Sequence, residues 1–419
     1  MRIQETHIDA IDIFDPMDPR QLKAPFAAYR RLRDHAPVAY LAPLDIWAVS
    51  RHADVRSVLA APDAFSAALA FGKDAILTDP RRPGLQLNLR FSGDAGGVVS
   101  SSDGEDHIRL RRVVARLMSK PRLDAVEAAV REHVPRLLGA LRDRSAFDVV
   151  GDLAKPVATK TIGDVIGLGD DTARSLAAWA DVTARALDPG DELALAAAAP
   201  GMMLSNLTGA RTVRSALDAR TAALPAGTGS GLVEAWRAAD SQAAREETIL
   251  SVLQLFQAGY ETVVSALAHI VAGSVADRPG WPALVADPET LAGLIDEGTR
   301  LASPVRATFR TAVGERRIGG TAVPDGARLL VLIGSANRDE RVFADPDRTN
   351  PRRTTPHVAF GAGPHRCLGR FLAQTELRHV LRALASATRS VSTLGGERVA
   401  ANILKAGYDH LPVAVEWHR

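Results

Sequence analysis

The stretch from residue 244 to 277 sets the terms for this fold. Glu246 and Glu247 stand near its start, Ile249, Val252, Leu253, Leu255 and Phe256 fill its interior, and Pro279 stops it. At 1.5 Å per residue such a helix is roughly 50 Å long, enough to cross a whole domain. A periodic run of this length belongs to a coiled coil, a membrane span or a helix buried in a core. Glu261 and His269 argue against the span, and the lack of heptads argues against the coil. A helix through the core remains, and the rest of the chain has to wrap it.

A second feature is chemical. The only cysteine, Cys367, sits in Phe360-Gly361-Ala362-Gly363-Pro364-His365-Arg366-Cys367-Leu368-Gly369. Three glycines and a proline make this an irregular loop, after which Phe371, Leu372, Leu377, Val380, Leu381 and Leu384 recur at helical spacing. A thiol at the mouth of a helix meets unpaired N–H groups and the positive end of a dipole, and both favour a thiolate. A thiolate is a nucleophile or a metal ligand. One cysteine makes neither an internal disulfide nor a cysteine zinc site. The ordinary fate of a lone cysteine is an inert buried thiol. That would leave the glycine-rich loop, His365 and the following helix unexplained.

Bulk properties narrow the class. With 51 basic and 49 acidic residues the net charge is +2, which argues against a nucleic-acid footprint over the surface. The first residues carry charges throughout and lack the pattern of a signal peptide. No run of about 18 apolar residues is free of charge, so no membrane span is expected. These features place the chain in a reducing cytoplasm, acting as a monomer. A length of 419 residues suggests two or three domains. The candidate breaks, at 188–190, 225–231 and 277–282, are short, so a single domain over 1–419 is expected. It would have a β-containing part at roughly 35–65 and 305–360 and a helical core at 105–300 and 367–390.

Along the chain, 26–34 is amphipathic, 38–41 and 46–50 are β-prone, and 52–59 is helical. Residues 66–100 have no clean period and read as a long loop, which in a compact chain is functional or disordered. Helical spacing dominates 105–141 with a break near Lys120-Pro121, and resumes over 154–187 and 202–223, with 147–150 as a short strand. Asp287-Pro288-Glu289 starts a helix, with a cap, a proline and an acid at the positive dipole end. It runs to Leu301 and stops before Pro304. Residues 305–333 are β-like, with a turn at Pro324-Asp325-Gly326 and a buried strand at 329–333. The whole is mainly α with small β-sheets.

Phe360-x-x-Gly363-x-His365-x-Cys367-x-Gly369 resembles the haem-binding loop of the cytochrome P450 monooxygenases. Three more matches stand in order. Ala258-Gly259-Tyr260-Glu261-Thr262 resembles the family's oxygen-activating segment, Glu297-x-x-Arg300 its buried helix motif, and His107-x-x-x-Arg111 its pair on a haem propionate. The resemblance runs from about residue 15 to the C-terminus. It implies the cytochrome P450 fold, with the long helix lying over haem b and Cys367 as the axial ligand of the iron. A soft thiolate in that place pushes electron density to the metal.

The resemblance also assigns roles. Thr262 is expected to turn its hydroxyl to the carbonyl of Ala258 and to open the helix there. Gly259 is expected to make room for the cofactor and dioxygen. Glu261 and Thr262 would relay protons to the bound dioxygen. His107, Arg111, Arg310 and His365 would face the propionates, and Phe360, Gly361 and Gly369 would shape the loop around sulfur. Glycines 361, 363 and 369 let backbone N–H groups approach the thiolate. Glu297 and Arg300 would form a buried pair that engages Arg348, although Thr349 stands where an aromatic usually follows. The acidic run Asp103-Gly104-Glu105-Asp106 also departs from the family and is expected to weaken the grip of His107.

Electrons would come from a ferredoxin or flavodoxin, because no flavin or nicotinamide motif occurs. Arg109, Arg112, Arg116, Arg366 and Arg370 would form the basic face that steers it. The substrate would be a small or medium organic molecule, taking one oxygen atom from O₂ by hydroxylation, O-dealkylation or epoxidation. Its pocket would use 66–100, Leu255, Ala258 and 305–309, with Met202 and Met203 on a lid and Arg306 at the rim. Two other readings stay open: a peroxide-driven peroxygenase, and a non-catalytic haem-binding protein.

Overall fold

The computed structural model describes residues 10–71, 76–81, 86–88, 98–185, 188–189, 198–276 and 280–418. After short helical pieces come α1 (Phe26–His35), then β1 (Val38–Leu41) and β2 (Ile46–Val49). These two strands pair antiparallel, with Val38 opposite Val49. Asp45, in the left-handed region at φ 50°, turns the chain between them, and the Tyr40 hydroxyl donates to its carboxylate at 2.8 Å. Then follow α2 (His52–Ala60) and β3 (Phe65–Ser66). The stretch expected as an unbroken loop also holds a helical turn at Ala67–Ala70 and an antiparallel hairpin of Ile76–Thr78 with Gln86–Asn88. The rest of it lies outside the described residues.

The helical part opens with α3 (Gly104–Leu117) and α4 (Lys120–Leu141), parted where Pro121 enters the first turn of the second. After β4 (Ala146–Asp148), the pattern expected over 154–187 divides into α5 (Lys155–Ile166) and α6 (Asp170–Arg185). Gly167 causes the split. At φ 88° its N–H donates to the Gly163 carbonyl at 2.9 Å and closes α5. Then come α7 (Ala198–Ala223) and α8 (Gly231–Ala238), which Ser230 caps.

The long helix is α9 (Gln242–Ile270). Ser241 accepts the Ala244 N–H at 3.2 Å, and wider turns continue over Val271–Val275. The helix packs against α5, α6, α7 and α8, and against α10 (Pro288–Ala302). Val252, Phe256, Tyr260, Leu267 and Ile270 are buried in that packing, each contributing about 1.5–3 kcal/mol by leaving water. Asp287 caps α10 by accepting the Thr290 N–H at 2.8 Å.

The C-terminal part holds β5 (Thr308–Ala312), β6 (Arg328–Val331), α11 (Arg370–Ala387), β7 (Thr388–Thr393), β8 (Arg398–Val399), β9 (Tyr408–His410) and β10 (Pro412–Trp417). The strand expected over 329–333 ends at Val331, because Ile333 already starts a short helix. The main sheet has the order β1-β2-β6-β5-β3, so it joins the two ends of the chain. β2 and β6 run parallel, with Trp47 beside Leu329. β7, β10 and β4 form a second sheet, and β8 and β9 a hairpin. The protein is thus helix-rich with small sheets, as its residue pattern predicts.

Candidate active site at the cysteine loop

The cysteine loop is fixed from behind. On α10, Arg300 donates to both oxygens of Glu297, at 2.7 and 2.8 Å, and both side chains are buried. Its remaining nitrogen donates to the carbonyls of Asn337, at 2.6 Å, and Pro346, at 2.8 Å. Asn337 in turn accepts the Val358 N–H at 2.8 Å, two residues before Phe360. The third member of the cluster is Arg353, whose Nε donates to Glu297 at 2.9 Å. This corrects the expected partner. Arg348 is exposed, and its stretch reaches the pair through backbone, at the Pro346 carbonyl and the Asn350 N–H. Thr349 sits 3.3 Å from the Ser274 hydroxyl, so a polar contact stands where an aromatic was expected.

Within the loop, the Cys367 N–H donates to the Phe360 carbonyl at 2.9 Å. The thiol itself is exposed, although protein surrounds most of it. That burial prevails and leaves its pKa raised, while the N–H groups of Gly369 and Arg370 and the charges of Arg111 and Arg370 pull the other way. Sulfur therefore faces the donors expected at a helix mouth. The glycines divide their work differently from expectation. Gly363, at φ 66°, lies against α2, where an added Cβ would come within 2.7 Å of the Ala60 Cα. It serves loop-to-helix packing, and Gly369 is the one beside sulfur, its Cβ position 3.9 Å from Sγ.

Around the loop stands a cluster of bases. The rings of His107 and His365 lie against each other, tilted by 40° with centroids 4.1 Å apart, and the Nε2 of each is buried without a hydrogen-bond partner. Burial, then His365 and Arg111, hold His107 down to about 4. Arg310 is buried; burial draws it down to about 10 against the opposing pull of Asp103. Arg111 donates to the Arg366 carbonyl at 2.7 Å. Asp103 is the acid among them, and it does not loosen the group as expected. It accepts from Ser66 at 2.5 Å and from the Ala67 and Ala68 N–H groups, with His365 Nε2 at 3.7 Å. Burial works to raise its pKa, but His365, Ser66 and those N–H groups hold it far below the carboxylate range. Asp103 thereby anchors the bases.

On α9 the Thr262 hydroxyl donates to the Ala258 carbonyl at 2.6 Å. The helix nevertheless stays α-helical there; its widening begins at Val271. Ala258 is exposed in the middle of this largely buried helix, which marks an open space along that face. Gly259 points elsewhere: an added Cβ would meet Ile162 of α5 at 2.6 Å. Its small size serves helix packing, which corrects the expectation of room for a cofactor. Glu261 is half enclosed, accepts from Gln257 at 3.1 Å and forms an ion pair with Lys405. Burial pushes the Lys405 ammonium down to about 7, and Glu261 is the acid beside it. Lys405 lies in the β8–β9 connection, which docks on α9 where Ser265 donates to the Ala406 carbonyl at 2.6 Å.

These residues fit haem. A thiol held by backbone donors suits an axial ligand, an exposed alanine in a buried helix suits a flat face, and two imidazoles whose Nε2 atoms make no hydrogen bond, beside two guanidiniums, suit the two propionates. Sequence reasoning missed Asn337, Arg353 and Lys405, and it misjudged Asp103. Lys405 is distant from the motif it serves, and Arg353 lies in an irregular segment with no period to place it. Arg306 is no rim residue either. It is buried and donates to the Leu22 carbonyl, away from the cysteine loop. The side chains of Met202 and Met203 lie outside the described residues.

Comparison with known proteins agrees. The cytochrome P450 family model matches residues 286–386. The chain is 30% identical to Cytochrome P450 107B1 of Saccharopolyspora erythraea over 393 residues, spanning 92% of this chain and 93% of that protein. It is 28% identical to Cytochrome p450 CYP199A2 of Rhodopseudomonas palustris, spanning 95% and 93%. The crystal structure of CalO2 superposes with a TM-score of 0.80 at 28% identity, covering 96% of this chain and 98% of that one. The chain therefore belongs to the cytochrome P450 family, haem b enzymes of the monooxygenase class.

Proposed function

We propose that this enzyme inserts one oxygen atom from O₂ into a small or medium organic substrate, by hydroxylation, O-dealkylation or epoxidation, in natural-product tailoring or aromatic catabolism. When bound through Cys367, haem b supplies the oxygen chemistry. The chain's own side chains hold the group, deliver protons and shape the approach. In this reading His107, His365, Arg111 and Arg310 hold the propionates, and Phe360, Gly361, Gly369 and Ala258 frame the haem.

The observation that carries the reading is the pairing on α9. Thr262 is tied to the Ala258 carbonyl beside an exposed face, and Glu261 next to it is held by Lys405. An alcohol and an acid so placed move protons from the Lys405 side toward the open face. An intact pair of this kind favours O₂ and an electron partner over a peroxide-driven reaction or a non-catalytic role. In Thr262→Ala, reductant consumption should continue while product per electron pair falls several-fold. Unchanged coupling would remove Thr262 from the relay. Lys405→Met should lower turnover more than substrate affinity.

Electrons come from a ferredoxin, with a flavodoxin as the alternative. The basic face is narrower than the five arginines suggest. Arg109 pairs with Glu247 and Asp106, and Arg370 pairs with Asp296 and lies over the Phe360 ring. Arg112, Arg116 and Arg366 are exposed and carry no ion pair among the described residues. Phe371, 72% exposed at the start of α11, adds an apolar contact of the kind found inside protein interfaces. The reduction rate should fall with ionic strength, and a flat response would remove this surface. The enzyme acts as one domain and as a monomer in a reducing compartment, where a lone ligand thiolate stays reduced. Substrate is sought by screening for displacement of the iron's sixth ligand in the absorption spectrum.

A further inference from the structure

At the C-terminal end of α10 lies a cavity of about 310 Å³. Tyr29, His269, Arg306, Arg338 and Tyr408 line it, with Ala272 and Gly273 at its apolar side. None of the residues assigned above to haem or proton transfer contributes to its wall. Its chemistry is also different. Arg306 is 5% exposed, yet no carboxylate pairs with it among the described residues. One of its nitrogens reaches the Leu22 carbonyl, and its Nε has no partner. The Tyr29 hydroxyl, on a side chain 1% exposed, has none either. The one acid in the wall, Asp347, is already taken by Arg338. His269 donates to the Ser265 carbonyl through Nδ1, 2.9 Å away, and burial together with Arg306 and Arg338 keeps it uncharged near neutral pH.

A buried guanidinium without a counter-charge is costly, and a bound anion offsets that cost. A carboxylate matches the planar fork of Arg306 and accepts from the Tyr29 hydroxyl. The small apolar residues opposite leave space for a hydrocarbon body. We propose that this cavity binds a monocarboxylate with an apolar body, at a site separate from that of Cys367. The inference stands on the cavity and its charges, whatever substrate the enzyme oxidises.

The site adjoins the machinery through the backbone. Arg306 N–H donates to the Leu404 carbonyl at 2.8 Å, and Ala406 N–H to the Pro304 carbonyl at 3.0 Å. A ligand here therefore touches the segment that carries Lys405 toward Glu261, and the site suits an effector.

Octanoate is the probe, octanol its uncharged control, and haem-loaded enzyme saturated with 4-phenylimidazole at the iron the target. Calorimetry should show octanoate binding that survives the azole, no binding of octanol, and a melting midpoint raised by a few degrees at saturation. Arg306→Gln should weaken octanoate about tenfold or more, and Tyr29→Phe several-fold. Gly273→Met, at a position where an added Cβ would meet nothing within 4 Å, should block binding while leaving the fold intact. It decides the matter if Arg306→Gln does not fold. Octanoate binding no tighter than octanol, lost on adding the azole, or unchanged in Tyr29→Phe and Gly273→Met would overturn the proposal.

Discussion

Two polar clusters flank the cysteine loop, and only one of them is complete. In the Glu297–Arg300–Arg353 cluster every carboxylate oxygen and the Arg300 guanidinium find partners within the chain. Around His107, His365, Arg111 and Arg310 the donors outnumber the acceptors, and two buried nitrogens have none. Both clusters are buried and rich in charge. The first holds the backbone; the second keeps its binding capacity for something the chain does not contain. Burial of charge thus distinguishes a scaffold from a site only when partners are counted.

The sharpest way to break this contrast is Arg300→Ala. Leaving Glu297 buried with half its partners should cost roughly 3–5 kcal/mol, in apo and haem-loaded protein alike, by denaturant unfolding. A loss below about 1 kcal/mol would dissolve the distinction. Arg310→Met should do the reverse. Haem affinity should fall by the roughly 1.5–3 kcal/mol of a hydrogen bond to a charged group, while the apo protein unfolds at the same denaturant concentration or a higher one.

Glu376 on α11 sharpens the rule, because it is buried and one of its oxygens lacks a partner, yet it lies outside both clusters. Burial pushes its carboxyl up to about 8, against a small opposing pull from Thr161. The folded state therefore holds a proton that the unfolded state releases above its ordinary 4.5. Stability should fall as pH rises from there toward 8. Glu376→Gln should flatten that slope and be more stable at pH 8 by on the order of 4 kcal/mol. An unchanged slope would mean that Glu376 ionises freely. Least of all, Arg348→Ala should stay within about 0.5 kcal/mol of the parent, as exposed substitutions do, whereas Arg353→Ala should not.

What the sequence made legible was local. The cysteine loop, the long helix with its start, and the Asp287 cap are written in spacing and residue type, and the structure holds each of them. Where partners come from afar, residue type alone misleads. Gly259 faces Ile162 and Gly363 faces Ala60, and both glycines had been explained by a nearer need. Arg348 and Arg353 are five positions apart in a segment without period, so only the fold decides which one meets Glu297. Lys405 has no motif, and its meaning comes from docking beside α9. Asp103 seemed to disturb the histidine that it helps to place.

The parallel pairing of Trp47 with Leu329 also governs how the molecule is born. At 5–20 residues per second, on the order of 15–60 s pass between synthesis of β2 and of its neighbour β6. Through that interval β2 is an open edge, able to join strands of other chains. The loop that carries Cys367 emerges later still, and its Gly363 seats on a helix made at the outset. Cofactor loading is therefore a closing event of biogenesis. Aggregation during expression should be relieved by slower initiation or a chaperone that shields the first strands, and extra haem alone should not cure it.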